Sequence, residues 1–201
     1  RLMSSDRRLR VLALEPYFGG SHRAFLEGWQ RHSRHAWTML TLPPYKWKWR
    51  MRQSSILFAW EIERRFAAGE RWDVVFASDM LNLAELLGLQ RKTMGDLPAV
   101  LYLHENQITY PVRVEKERDL HFGVTNIVSC LAASQVWFNS AFHRGSFIDA
   151  VPGFIERMPD HRPLEAAARI VERSCVQPPG IFDPGLGCSE DPSRPLHIVW
   201  A

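Results

Sequence analysis

Hydrophobic and polar positions along the chain fall into short apolar runs separated by longer amphipathic stretches. Leu9–Leu14, Ala36–Leu42, Asp73–Ala77, Val100–Leu103 and Gln135–Asn139 have the length and Val/Leu/aromatic content of buried strands. Between them, Ser21–His32, residues Arg50 to Ala68, Leu81–Leu89, Leu120–Ala133 and Ser140–Ile155 carry helical apolar spacing. Strands alternating with helices predict βαβ units, a parallel sheet and right-handed crossovers. After Pro152 prolines and glycines become frequent, around one further helix at Leu164–Arg173 and a short strand at Arg173–Gln177. Residues 1–8 read as a basic tail, 9–180 as one α/β domain, 181–195 as a linker and 196–201 as a strand cut off as it starts.

The run Ala99–Leu103 stops abruptly at His104-Glu105-Asn106-Gln107, four polar side chains with no hydrophobic period. In open α/β sheets ligands bind outside the carboxyl ends of the strands, so this tetrad sits where a site is expected. The alternative is a polar turn that caps a strand. His104 and Glu105 would also make an acid–base pair, but neighbours on a strand point to opposite sides.

Other strand ends carry similar groups. Gly19-Gly20-Ser21-His22 lies between the first strand and first helix, where glycines and free helix N–H groups suit an anion, although Ser21 would serve equally as a plain N-cap. It is not the GxGxxG of a dinucleotide site. Asp79 and Asn82 follow the third strand, each a possible site group or helix cap, with the cap preferred for Asp79. Ser140, His143 and Arg144 follow the fifth strand; an N-cap accounts for Ser140 but not for the His143-Arg144 pair. His22, His104 and His143 would share a metal only if their loops converged, and no HExxH or Cys/His spacing supports one. No metal is expected.

Composition narrows the class. The chain has 201 residues, 46% hydrophobic and 23% charged, with no apolar run near the ~20 residues needed to cross a bilayer. Three widely spaced cysteines, without a CxxC pair, argue against a disulfide framework or zinc site and favour a reducing, cytoplasmic setting. A net charge of +3 says little, but its distribution says more. In Tyr45-Lys46-Trp47-Lys48-Trp49-Arg50, cations alternate with aromatics. An extended chain would put Lys46, Lys48 and Arg50 on one face and the rings on the other, as suits a nucleic-acid backbone with exposed bases or a sugar-phosphate; a solvated basic edge with tryptophans packed inward is the alternative. The chain does not begin with Met, and a fragment of a longer protein is expected.

Five blocks taken together resemble the N-terminal half of the tRNA-queuosine α-mannosyltransferase family: Leu14–Arg23, Leu42–Arg52, Ser78–Glu85, Tyr102–Pro111 and Phe138–Arg144. The resemblance implies the fold class α/β, a Rossmann-like parallel sheet flanked by helices that forms the N-terminal half of a GT-B glycosyltransferase. It implies transfer of mannose from GDP-mannose to queuosine in tRNA, with no metal and no other cofactor, and a C-terminal donor domain in cis that this chain lacks. The fragment alone is then expected to be inactive.

The same resemblance implies roles. His104 would contact the transferred sugar and, with Glu105, form the catalytic pair. Gly19, Gly20, Ser21, His22, Ser140 and Arg144 would lie on the donor and its diphosphate. Asn82, Asn106, Gln107 and Tyr110 would bind the acceptor, and Lys46, Trp47, Lys48, Trp49 and Arg50 the RNA. Two rival readings stand beside it: a glycosyltransferase with a lipid, glycan or small-molecule acceptor, and a non-catalytic RNA-binding module.

Overall fold

The computed structural model describes residues 7–114 and 118–180. The expected linker and truncated strand, 181–201, lie outside the described residues. Along the chain run β1 (Arg10–Glu15), α1 (Gly20–His32), β2 (Ala36–Thr41), α2 (Trp47–Ala67), β3 (Val74–Ser78), α3 (Leu83–Leu89), α4 (Arg91–Met94), β4 (Ala99–Leu103), α5 (Leu120–Ala132), β5 (Gln135–Phe138), α6 (Ala141–Glu156), α7 (Ala166–Glu172) and β6 (Ser174–Val176). The strands form one sheet in the order β2-β1-β3-β4-β5-β6, with every pairing parallel. The Rossmann-like α/β class is therefore observed.

Side chains alternate across the sheet as period two requires. Leu12, Leu14, Val75, Ala77, Leu101, Leu103, Val136 and Phe138 face one core, closed by apolar residues of α2 to α7 such as Phe58, Leu86, Ile127, Phe147 and Ile170. Val11, Ala13, Phe76 and Tyr102 face the other, against Leu26, Phe25 and Trp29 of α1. That second layer is built from stacked rings: Phe25 lies on Tyr102 at 4.3 Å, and Trp29 meets Trp37 and Phe76 edge-on at 4.9 and 4.8 Å. Aromatic pairs of this kind add about 0.5–1.5 kcal/mol each beyond burial.

Strand order reverses between β1 and β3, because α1 carries the chain outward to β2 and α2 returns it across β1. Such a switch point splays the loops apart and opens a crevice at the carboxyl ends. Here Ser78 Oγ, at the end of β3, donates to Glu15 Oε1, at the end of β1, at 2.9 Å. The reversal is thus bridged by a buried polar contact.

The basic–aromatic segment differs from expectation. It is not extended: α2 begins at Trp47, after Lys46 in a left-handed conformation (φ 51°). Helical rotation of about 100° per residue breaks the two-faced alternation. Trp47 packs on Phe122 at 5.1 Å, whereas Trp49 is 66% exposed. Arg50 Nε bonds the Pro43 carbonyl at 3.0 Å. Arg7, assigned to the tail, is tied to Asp73 at 2.9 Å beside Arg10.

Candidate functional site

Glu15 ends an apolar strand as a buried carboxylate, 2% exposed, and is held there by donors on three sides. The Tyr17 amide donates to Oε1 at 2.8 Å, Ser78 Oγ to the same oxygen, and His22 Nδ1 lies 3.1 Å from Oε2. His22 belongs to the first turn of α1, so the helix start and the strand end are locked together. Burial opposes charge on His22, but the hydrogen bond and charge of Glu15, with Asp79 and Glu105 adding theirs, outweigh it and raise its pKa to about 9. At neutral pH it is an imidazolium.

The N-cap of α1 is Gly19, with no side-chain cap. Ser21 is therefore not the cap, and the first-turn N–H groups have no side-chain acceptor among the described residues. Gly20 has φ +52°, which an L-residue adopts at a cost. A Cβ on Gly19 would sit 2.5 Å from Pro44 Cγ, so glycine is what lets the loop after β2 close over the helix start. Gly19, Gly20, Ser21 and His22 line a cavity of about 500 Å³ whose other walls include Tyr17, Pro44, Trp47, Glu105, Gln107 and Tyr110. Helix dipole, open N–H groups and a fixed cation converge on it, which is the equipment of an anion site.

His104 stands at the carboxyl end of β4. Its ring lies 4.0 Å from that of His22, tilted by 31°, and is wedged by Phe25 and Tyr102 at 5.1 and 4.7 Å. Burial, then the charge of His22 and the proximity of His143, push its pKa down to about 3, so it is neutral. Its backbone is held at both ends: Asp79 Oδ1 accepts from His104 N at 2.9 Å, and Asn139 Nδ2 donates to its carbonyl at 2.8 Å. Asp79 is 1% exposed, and burial raises its pKa to about 7 against the charge of His22. Asp79 is thus a brace for β4. The cap preferred for it belongs to Asn82, whose Oδ1 accepts from the Glu85 amide at 3.2 Å.

The tetrad divides its labour. Asn106 is buried and spends its whole amide on the loop, accepting from the Ile108 and Thr109 amides and donating to Thr109 Oγ1 and His143 Nε2. Gln107 N donates to Asn126 Oδ1 at 2.7 Å, and Gln107 Nε2 to Glu105 Oε1 at 3.2 Å. Burial raises the Glu105 pKa, opposed by the charge of His22 and the bond from Gln107. Tyr110, 46% exposed, lines the same cavity as Glu105.

Around α6, Ser140 is the N-cap, accepting from His143 N at 3.1 Å. His143 lies between Asn106 and Asn139. Arg144 Nε donates to Ser174 Oγ at 2.9 Å, so the pair that a cap left unexplained is explained by the loop and by β6. Lys46 and Lys48 are exposed near Trp47, with Lys48 Nζ 5.6 Å from its ring centroid.

Of the three histidines considered as a metal set, His22 and His104 meet, and His143, though near His104, offers no ligand atom to the same group. Glu15 joins the first two, the three offering ligand atoms within 4.8 Å of one another. Glu15 already accepts three hydrogen bonds and His22 Nδ1 is turned to it, which is the arrangement of an ion pair. Sequence reasoning passed over Glu15, Asn126 and Asn139. The available signals were a carboxylate closing an apolar strand, a lone amide inside an apolar helix, and an amide at a strand end.

Among the described residues no helix is long and apolar enough to cross a membrane. The family model described as tRNA-queuosine alpha-mannosyltransferase N-terminal matches residues 10–181. A tRNA-queuosine alpha-mannosyltransferase of Drosophila melanogaster is 40% identical over 169 residues, covering 82% of this chain and 42% of the relative. The chain thus spans less than half the length of that curated relative. With a switch-point cleft, an open helix start and all five sequence blocks inside the matched region, the chain belongs to the tRNA-queuosine alpha-mannosyltransferase N-terminal family.

Proposed function

We propose that the whole protein transfers mannose from GDP-mannose to the queuosine nucleoside of a tRNA, and that this chain is the acceptor-side half of a cytoplasmic, two-domain GT-B enzyme. The observation that carries the reading, beside family membership, is the Glu15-held imidazolium of His22 at an uncapped helix start. When a sugar leaves a nucleoside diphosphate, negative charge builds on the phosphate oxygens. Oriented N–H groups and a fixed cation meet that charge without reorganising.

His104, neutral and stacked on His22, is the group set against the transferred sugar. It accepts or donates a hydrogen bond there without adding a second positive charge. Glu105 lines the cavity at the start of α1 and, with His104, the neighbouring one at the start of α6, and is the carboxylate nearest the acceptor. Asn106 acts by shaping the loop, since its amide is spent internally. Lys46, Lys48 and Arg50 contact RNA phosphates, which position the acceptor without reading its sequence. No metal is required, because His22 and α1 supply the positive potential.

The test is to incubate the full-length protein with GDP-mannose and queuosine-containing tRNA and weigh the digested nucleosides. A gain of one hexose, unaffected by EDTA, is expected. No gain with any nucleotide-sugar would end the enzyme reading. Transfer that persists without RNA would move the acceptor to another class, and transfer abolished by EDTA and restored by a divalent ion would overturn the metal-free chemistry.

A further inference from the structure

Just past the end of β4, side chains take the place of backbone partners. His104 follows Leu103, the last residue of the strand, and its N–H and carbonyl are taken by Asp79 Oδ1 and Asn139 Nδ2, from the ends of β3 and β5. Asp79 is buried, whereas Asn139 is only half-buried and is itself held. Its Oδ1 accepts from Ser140 Oγ at 3.2 Å and lies 3.0 Å from His143 Nδ1. The other ring nitrogen of His143, Nε2, lies 3.0 Å from Asn106 Nδ2. His143 thus spans the loops that follow β4 and β5, with its ring edge-on to buried Phe138, centroids 5.3 Å apart.

Backbone groups at both ends fix the direction of this chain of bonds. Asn106 Oδ1 accepts from the Ile108 and Thr109 amides, so Nδ2 is the atom turned to His143. Nδ2 only donates, so His143 Nε2 is the bare nitrogen and the ring proton sits on Nδ1. That N–H donates to Asn139 Oδ1, which leaves Asn139 Nδ2 for the His104 carbonyl, an acceptor only. One arrangement satisfies every member, the neutral Nδ1–H tautomer of His143. A charged ring, or one protonated on Nε2, would set N–H against N–H at Asn106, and turning Asn106 over would strand two backbone amides. Burial lowers the His143 pKa and so favours the neutral form. Of the titratable groups around it, His104 is neutral, Glu105 and Tyr110 line the adjoining cavity without bonding the ring, and Arg144 is turned to Ser174.

We propose that His143 is a positioning residue for the transfer: as the Nδ1–H imidazole it ties the two loops together and, through Asn139, sets the His104 backbone and with it the ring at the reacting centre. The inference rests on the placing of His104 against the transferred sugar and adds the group that holds it there. His143 acts through His104 and not on the substrate.

The test uses the full-length protein, with ¹⁵N-labelled histidine for spectra and hexose transfer from GDP-mannose to queuosine-containing tRNA for kinetics. Spectra at neutral pH should show His143 with its proton on Nδ1 and Nε2 bare. His143→Ala should lower kcat about ten- to hundred-fold while KM for tRNA and for GDP-mannose is kept. His143→Asn places an amide N–H near the Nδ1 position and should recover part of that loss. Asn139→Asp keeps the size and the acceptor for His143 but has no N–H for the His104 carbonyl, so it should repeat the loss. The double variant His143→Ala with Asn139→Asp should be no slower than the slower single one, since both act through one bond.

A proton on Nε2, or a charged ring at neutral pH, would overturn the chain of bonds. A wild-type kcat in His143→Ala, a loss confined to KM, no recovery in His143→Asn, or additive losses in the double variant would overturn the positioning role. Should His143→Ala fail to fold, Asn139→Asp decides: an unchanged kcat overturns the inference, and a lower kcat at kept KM supports it. In each of these cases hexose transfer by the wild type leaves the function standing. A wild type that transfers nothing to tRNA, or a His104→Ala that transfers at the wild-type rate, fails the reading beneath the inference instead.

Discussion

His22 and His104 lie with ring centroids 4.0 Å apart, tilted by 31°, one charged and the other neutral. Glu15 keeps the first protonated, with a pKa of about 9, and burial beside that cation keeps the second neutral, with a pKa of about 3. Under the proposed function, one ring would face a developing phosphate charge while the other would stay free to hydrogen-bond a sugar hydroxyl. Imidazole ¹⁵N spectra should show His22 losing its proton only near pH 9, with His104 neutral throughout the neutral range. Two rings titrating together near pH 6.5 would contradict this division.

Glu15→Gln removes the counter-charge and leaves a buried imidazole that can no longer hold its proton. Breaking one side of a buried pair costs about 3–5 kcal/mol, so a Tm fall of several degrees is expected. The pH dependence has a definite sign. The folded-state pKa of His22 is raised, so its contribution is full below about pH 6.5 and is lost as pH rises through about 9. That alkaline loss should vanish in Glu15→Gln. His104, with a lowered folded-state pKa, gives a contribution present above about pH 6.5 and lost as pH falls toward 3, which the substitution does not remove.

Asn126, 1% exposed on α5, joins the tetrad to the strand beside it through Gln107 N and the Asp79 carbonyl. Asn126→Ala would strand a buried amide N–H, at about 1–3 kcal/mol. Denaturant melts should register that loss, and hydrogen exchange should rise over residues 104–110. Exchange unchanged in that loop would show that Asn126 does not hold it.

Gly19→Ala tests the helix start without touching a titrating group. Its Cβ would meet the Pro44 ring, 2.5 Å from Cγ, and a proline ring cannot rotate away. Overpacking of this kind costs about 1–3 kcal/mol and should move the loop after β2 off α1. The expected result is a raised KM for the nucleotide-sugar, with a smaller loss of tRNA affinity because the displaced loop leads into Lys46 and carries the Pro43 carbonyl that holds Arg50. An unchanged donor KM would remove this helix start from the donor site.

The architecture was legible because the apolar runs were short, unbroken and separated by helical spacing, so β1 to β6 fall within a residue or two of their expected places. The Lys46–Arg50 segment was open between an extended, two-faced reading and inward-packed tryptophans, because two-residue alternation over a few positions is also compatible with a helix start; the packing of Trp47 on Phe122 favours the second for that residue. His104 was visible as a polar stop to an apolar strand. Its dependence on Glu15, Asp79 and Asn139 was not, since those contacts join residues far apart in the chain at neighbouring strand ends. Glu15 looked like the first residue of a loop, and only the β1–β3 reversal makes it the anchor of His22.

The most direct measurement is single-turnover hexose transfer by full-length His104→Ala, with tRNA affinity measured on the same preparation. Loss of a group that stabilises charge at the reacting centre should slow transfer by about 10²–10³-fold while tRNA binding stays at the wild-type level. Transfer at the wild-type rate, or a loss of transfer matched by an equal loss of tRNA affinity, would contradict the placing of the chemistry at the end of β4.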